Sequence, residues 1–328
     1  MIGVSTIAMT LFTSRPVGDA MATIIWGTSS SWTLTALPLF VWMGEILFRT
    51  KLSENLFDGL SPWMQKLPGG LIHVNVVGCA LFAAISGSSA ATVATVGKMS
   101  IPELRKRNYP EKILLGSLAG SGTLGLLIPP SIILIIYGVT VQESIAKLFV
   151  AGIIPGIMIA LIFMGYVILW SLFNKKEMPS ILTSYSFGEK IKRSGQLIPV
   201  VLLIFSVIGS IYTGIATATE AASLGVVGAL ILSYFQKSLN WKTFKNSLLG
   251  ATITSCMISF ILAGSAFLSL AMGFTGLPRN LALWINGLDL SPYILIFVLM
   301  IFYIILGMFL DGISAVVLTM AIIEPMIR

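Results

Sequence analysis

The sequence predicts an all-α polytopic membrane protein, and three observations carry that prediction. Of 328 residues, 56% are hydrophobic and only 10% charged, and the mean hydropathy of +0.96 lies far above that of a soluble domain. Apolar runs long enough to supply the about 20 helical residues that a hydrocarbon core of roughly 30 Å demands recur at 21–48, 113–137, 148–173, 195–213, 219–235 and 247–272. Six full spans are expected. The lysines and arginines are unevenly placed: 16 of 20 fall in four segments between apolar runs.

Those four segments fix a topology. They are Arg49, Lys51 and Lys66; Lys98, Arg105, Lys106, Arg107 and Lys112; Lys175, Lys176, Lys190, Lys192 and Arg193; and Lys237, Lys242 and Lys245, leaving Arg15, Lys147, Arg279 and Arg328 elsewhere. The positive-inside rule makes the four segments cytoplasmic, so the net charge of +7 reads as topology and not as an affinity for nucleic acid. The first 14 residues have no basic flank or small-residue cleavage site, which argues against a signal peptide, and read as the stub of a further span. Runs 113–137 and 148–173 make one excursion between cytoplasmic segments; 195–213 and 219–235 make another.

The stretch 70–97 joins two cytoplasmic segments with too few residues for two spans. It is expected to enter and leave by one face as a re-entrant hairpin. Its first arm, 70–85, reaches roughly 24 Å at 1.5 Å per residue, and its tip is Ser86-Gly87-Ser88-Ser89. Non-helical backbone at membrane depth is tolerated where protein buries it or where it lines a wet cavity. Such a tip offers carbonyls from one half-helix, N–H groups from the next and hydroxyls between them, which suit a small hard cation and an anionic group. The competing reading is close packing of small residues between helices.

The motif recurs. Residues 310–315, LDGISA, match ISGSSA at 85–90: Gly312 on Gly87, Ser314 on Ser89, Ala315 on Ala90, with Asp311 in place of Ser86. An apolar arm, 293–309, runs into it and a second, 313–323, runs out. Counted from the cytoplasmic segment 237–245, this second hairpin opens from the opposite face, so the pair forms an inverted repeat of the kind found in secondary transporters. Between the hairpins, run 113–137 is interrupted by GSGTLGLLIPPS (120–131). Pro129-Pro130 removes two backbone donors, Gly120, Gly122 and Gly125 loosen the helix before them, and Ser131 adds a hydroxyl. A kink that only shapes packing is the alternative.

Two carboxylates stand out. Asp311, at a hairpin tip in the membrane, is costly unless paired, hydrated or ligating. Glu220, after Thr217 and Thr219 in GIATATEAASLG (214–225), is either a site residue or a first-turn carboxylate stabilised by the helix dipole. Glu45 reads as interfacial. Cys79 and Cys256, far apart within apolar runs, read as buried small hydrophobes, and with His73 the sole histidine a metal site of the zinc type is excluded.

Together ALPLFVWMGEIL (36–47), ISGSSAATVATVG (85–97), GTLGLLIPPSIILIIYG (122–138), LFVAGIIPG (148–156), TATEAA (217–222) and LGMFLDG (306–312) resemble, in order and over nearly the whole chain, the large membrane subunit of tripartite ATP-independent periplasmic (TRAP) transporters. The resemblance implies a multi-pass bacterial inner-membrane protein of the ion transporter superfamily, with an elevator-type transport domain and Na+ as coupling ion, no other cofactor being expected. It implies two protein partners, a small four-helix membrane subunit and a periplasmic substrate-binding protein that delivers an organic acid. On this pattern 1–69 hold an N-terminal scaffold span and cytoplasmic arm, 70–144 the first hairpin and interrupted helix, 145–245 scaffold spans, and 246–328 a span with the second hairpin. The first sodium site would use Ser86, Gly87, Ser88 and Ser89 with Thr123, Gly125, Pro129, Pro130 and Ser131. Asp311 and Gly312 would serve the second, with Thr217, Thr219 and Glu220 as further ion or substrate residues. Ser86, Ser88, Ser131 and Asp311 are the side chains expected to ligate Na+. The sequence departs from the family at Ala218, where the family has proline, and at its ends: the N-terminus is a span short, and the family continues beyond Arg328 with a second interrupted helix carrying Pro-Pro-Val-Gly. A truncated second repeat is therefore expected.

Other classes fit less well. Intramembrane serine hydrolysis needs a serine beside a positioned base, and His73 lies a hairpin arm away from Ser86, so the chain is not expected to be an enzyme. A channel-like subunit and a carrier that works without a binding protein are the remaining alternatives.

Overall fold

The computed structural model describes residues 1–13, 16–50, 52–179, 185–195, 197–287, 291–310 and 312–327. Among them every regular element is helical. In chain order these are α1 (Ile2–Phe12), α2 (Val17–Ser29), α3 (Ala36–Phe48), α4 (Leu52–Met64), α5 (Ile72–Ser86), α6 (Ser89–Lys106), α7 (Glu111–Gly122), α8 (Ile132–Val141), α9 (Ile145–Phe173), α10 (Phe187–Ser194), α11 (Ile198–Tyr212), α12 (Ala218–Phe235), α13 (Trp241–Thr275), α14 (Leu277–Asn286), α15 (Pro292–Gly307) and α16 (Gly312–Ile327).

Three of the six expected spans are uninterrupted helices of sufficient length and apolarity among the described residues: α9, α12 and α13. The other three are not single uninterrupted helices. Run 21–48 breaks after Ser29, where consecutive serines lead into a single 3-10 turn at Trp32–Thr35, because short hydroxyl side chains compete for the backbone bonds that would extend a helix. Run 113–137 breaks at its prolines, as expected. Run 195–213 yields only α11, whose 15 residues begin at Ile198 with Pro199 in the first turn; proline is tolerated there but cannot extend a helix backwards. The outer faces have membrane character. α9 has 29 residues and leaves Ile154, Leu161 and Ile162 more than half exposed, apolar surface of a kind that water would penalise.

The chain forms two compact units: Met1–Thr35, Ile135–Ser144 and Thr254–Arg328 in one, Ala36–Leu134 and Ile145–Ile253 in the other. The second is built around α5. Twelve of its 15 residues are buried, and it packs against α3, α4, α6, α7 and α9. A helix apolar on all sides belongs in such a centre. Its polar exceptions are bonded in part: the Asn75 amide nitrogen donates to the Leu114 carbonyl at 3.2 Å and to Ser117 Oγ at 3.0 Å, and His73 Nε2 lies 2.8 Å from the Pro68 carbonyl, while Asn75 Oδ1 and His73 Nδ1 are buried without a partner among the described residues. α5 and α6 form the first hairpin. α12 lies along α3, and Glu45 on α3 pairs with Arg49 at 2.9 Å, which fits an interfacial role.

In the first unit, Met9, Phe267 and Ala271 bring α1, α2 and α13 together. α15 and α16 form the second hairpin, tied by Tyr303 Oη and Thr319 Oγ1 at 2.7 Å. Ser265 on α13 donates to the Val317 carbonyl at 2.7 Å. Of the cysteines, Cys79 is buried as expected, but Cys256 is exposed: it lies on the outer side of α13, where an apolar sequence context does not distinguish a lipid-facing position from a core one.

The Asn75 bonds give the first prediction. Asn75→Leu keeps the volume and removes both donated bonds, so the purified chain should lose roughly 1 kcal/mol of stability, read as a thermal midpoint lower by on the order of 2 °C. An unchanged midpoint would show that the bonds contribute nothing net.

Candidate functional site

The first hairpin tip is narrower than the four residues the sequence suggested. Ser86 ends α5, Ser89 begins α6, and only Gly87 and Ser88 lie outside helix. Gly87 closes α5 in the left-handed region, with φ +58° and its N–H donating to the Ala83 carbonyl, a conformation open to glycine at little cost. Ser88 caps α6, its Oγ accepting from the Ala91 N–H at 3.5 Å. Three hydroxyl-bearing residues knit the turn: Ser86 Oγ lies 2.9 Å from Thr92 Oγ1, Thr92 Oγ1 donates to the Ser88 carbonyl at 2.7 Å, and Ser88 N–H donates to Ser86 Oγ at 3.4 Å. Ser86 and Thr92 are both buried.

The interrupted helix supplies the facing surface. α7 ends at Gly122 and passes through the 3-10 turn Thr123–Leu126, and α8 restarts at Ile132. Pro129 and Pro130, joined by a cis peptide bond, are buried in the gap, and Ser131, fully buried, donates across it from Oγ to the Leu126 carbonyl. On α9, Gly152 leaves room for the Leu127 carbonyl and Pro129, and Gly156 for Ile128.

Tip and gap meet backbone to backbone. The Ile132 N–H donates to the Gly87 carbonyl at 3.3 Å. A Cβ on Gly87 would stand 2.7 Å from the Pro130 carbonyl oxygen, one on Gly125 2.8 Å from the Ser88 carbonyl, and one on Gly44 of α3 2.9 Å from Ser86 Cα. Four helix ends thereby converge: the C-terminal ends of α5 and of the α7 turn, with partial negative charge, and the N-terminal ends of α6 and α8, with partial positive charge. The side-chain oxygens among them, on Ser86, Ser88, Ser89, Thr92 and Ser131, are neutral. Neutral hydroxyls and carbonyls are hard donors suited to a small monovalent cation, and free helix N-termini suit an anionic group. Among the described residues no cluster of three or more His, Cys, Asp or Glu side chains offers a stronger metal site.

Of the predicted residues, the structure brings together Ser86, Gly87, Ser88, Ser89, Gly125, Pro129, Pro130 and Ser131. Thr123 is exposed, and its hydroxyl donates to the Gly120 carbonyl of its own helix end at 2.7 Å. Thr217, Thr219 and Glu220 open α12: the Glu220 carboxylate accepts from the Thr217 N–H and hydroxyl, both at 2.8 Å, while Thr217 Oγ1 accepts from the Glu220 N–H. This is a capping box. Gly312 begins α16 and is half-buried, whereas Asp311 lies outside the described residues. Sequence reasoning missed Thr92 and Gly44. Thr92 was legible as the residue four after a capping serine, where a hydroxyl bonds back to the cap carbonyl; Gly44 was not, because only the fold brings α3 to the tip.

These approaches give a paired prediction. Gly87→Ala places a Cβ against the Pro130 carbonyl at positive φ, and should destabilise the chain by more than about 1 kcal/mol and abolish any activity of the tip. Gly78→Ala on the same hairpin, where a Cβ would meet Val96 at an ordinary 3.6 Å, should be tolerated. Comparable thermal midpoints for the two variants would refute the close-approach argument.

Known proteins are similar to this chain in sequence. Residues 1–328 match the family model described as "Tripartite ATP-independent periplasmic transporter, DctM component". The chain is 32% identical over 303 residues to a C4-dicarboxylate TRAP transporter large permease of Pseudomonas aeruginosa, covering 92% of this chain and 70% of that one. It is 30% identical over 338 residues to the corresponding permease of Rhodobacter capsulatus, covering 98% and 76%. Against the isethionate TRAP transporter permease of Oleidesulfovibrio alaskensis the identity is 30% over 318 residues, covering 96% of this chain but 49% of the relative. On these matches, and with helical hairpins and an interrupted helix in the order its motifs set out, the chain belongs to the DctM family of TRAP transporter large permeases.

Proposed function

We propose that this chain takes part in sodium-coupled uptake of an organic acid across the bacterial inner membrane, as the large permease of a three-component system. The observation that carries the reading is the convergence at Ser86–Ser89 and Gly125–Ser131 of two helix C-termini and two helix N-termini around buried neutral hydroxyls. Na+ would be held by Ser86 Oγ, Thr92 Oγ1 and carbonyls at the end of α5, with the anionic substrate group near the N-terminal ends of α6 and α8. The relatives named for C4-dicarboxylate and isethionate support an anionic substrate. Asp311 would supply the charged ligand of a second site in the hairpin of α15 and α16, by its match to Ser86 in sequence. The family's own description supports a tripartite assembly, and the partners we propose are a small membrane subunit and a periplasmic binding protein. The transport domain would move as an elevator.

The test is uptake of labelled organic acids into proteoliposomes holding the full-length subunit with both partners, with and without a sodium gradient. Ser86→Ala and Thr92→Val should each raise the sodium concentration for half-maximal uptake several-fold, since each removes one oxygen donor worth on the order of 1 kcal/mol. Sodium-independent uptake by the wild type would overturn the coupling.

Topology is tested separately. A cysteine placed beside Arg279 should label from the periplasmic side and one beside Lys106 should not. Labelling of both from one side would remove the re-entrant assignment of 70–97.

A further inference from the structure

Outside the transport site, the charged helix α10 combines features that α4 alone does not explain. It is short and strongly two-faced. Trp63 of α4 donates from Nε1 to Ser194 Oγ at 2.7 Å and stacks edge-on against Phe187 at 6.3 Å between ring centroids, so α4 and α10 form one platform. Yet its apolar surface stays uncovered: Phe187 is 67% exposed, Ile191 53% and Trp63 41%. Phe187 and Ile191 are four residues apart and so lie on one face of the helix.

Basic groups border that face. Lys190 Nζ sits 5.2 Å above the Trp63 ring, the Arg193 guanidinium lies 4.7 Å from the Tyr185 ring centroid, and Lys192 is exposed. Three cations stand against one carboxylate on the helix, Glu189, which is engaged in capping, accepting from the Ser186 N–H at 2.9 Å. Position completes the picture. α11 begins four residues after α10 ends and turns Ile198, Leu202 and Phe205 outward, each more than half exposed. An apolar helix with such an outer face enters lipid, which puts α10 at the depth of the headgroups. Aromatic rings with an apolar face edged by Lys and Arg are the composition of an interfacial helix, and basic groups near an anionic surface each contribute about 1 kcal/mol of attraction.

We propose that the α4–α10 platform docks on the bilayer surface and selects anionic phospholipid headgroups, with Phe187, Ile191 and Trp63 inserted at the acyl boundary and Lys190, Lys192 and Arg193 binding phosphate. The proposal rests on the chain being a membrane protein and not on sodium coupling or on which face of the membrane this corner occupies.

The experiment uses the full chain in nanodiscs of phosphatidylcholine, with or without phosphatidylglycerol. Phosphatidylglycerol should raise the thermal midpoint of the wild type, and added salt should reverse the rise. The triple variant Lys190→Gln, Lys192→Gln, Arg193→Gln should lose the rise. The matched triple Lys237→Gln, Lys242→Gln, Lys245→Gln, which removes the same charge elsewhere, should keep it; equal loss in both would reduce the effect to net charge and overturn the proposal. Depth is read independently by a nitroxide on Ile191→Cys in a Cys256→Ser background, with the three bases intact. Collision with dissolved oxygen and not with a water-soluble reagent is expected. Accessibility to the water-soluble reagent would overturn docking, and protection from both reagents after co-purification with the small membrane subunit would assign the face to a protein and overturn the lipid reading.

Discussion

The architecture turns on a place where side chains are excluded. The carbonyl of Gly87 accepts the Ile132 N–H, and the backbones of the hairpin tip and the helix gap lie so close that a Cβ on Gly87 or Gly125 would fall within 3 Å of carbonyl atoms. Everything nearby follows from that approach. α5 must stop at Ser86 because Gly87 turns left-handed, α6 must be capped by Ser88 because its first N–H groups have no partners behind them, and α8 must start at Ile132 to donate to the tip. The tandem prolines make the gap by removing donors, and the glycines let the tip occupy it.

This arrangement separates rigidity from chemistry. Ser86, Ser88 and Thr92 bond chiefly to one another, so the tip is internally braced, and α5 behind it is buried on nearly every side. The residues that brace the tip also carry its side-chain oxygens. A substitution there therefore alters the bracing of the tip and its oxygen atoms together.

Much of this was legible in the sequence, and what was not has a physical explanation. The hairpins, the break at Pro129-Pro130 and the tip at Ser86–Ser89 are local events announced by glycine, proline and serine within apolar runs. The number of uninterrupted spans was not legible, because hydropathy counts apolar residues and cannot see that Ser29-Ser30-Ser31 end one helix or that Pro199 prevents another from starting earlier. Cys256 was misread for a related reason. In lipid an apolar neighbourhood describes the outside of a bundle as well as its inside. Glu220 has two readings in the sequence, since a capping box and an ion ligand call for the same carboxylate at the same helix end; the Thr217 bonds show the capping box.

The same ambiguity recurs at the hairpin tip. Small polar residues at a helix break can be read as packing or as a site, and at Ser86–Ser89 the close backbone approach shows the packing. Without a hydrophobic drive between helices in lipid, association relies on close packing and interhelical bonds, and close packing needs residues too small to cover the backbone. A backbone left uncovered at a helix end retains carbonyls and N–H groups that no side chain screens, and in a low-dielectric interior those groups demand partners. At the tip, the glycines and serines that bring α5, α6 and the gap together meet part of that demand themselves, the Ile132 N–H bonding the Gly87 carbonyl and the Thr92 hydroxyl the Ser88 carbonyl. One set of small residues thus sets both the packing of the tip and the backbone groups presented at its helix ends.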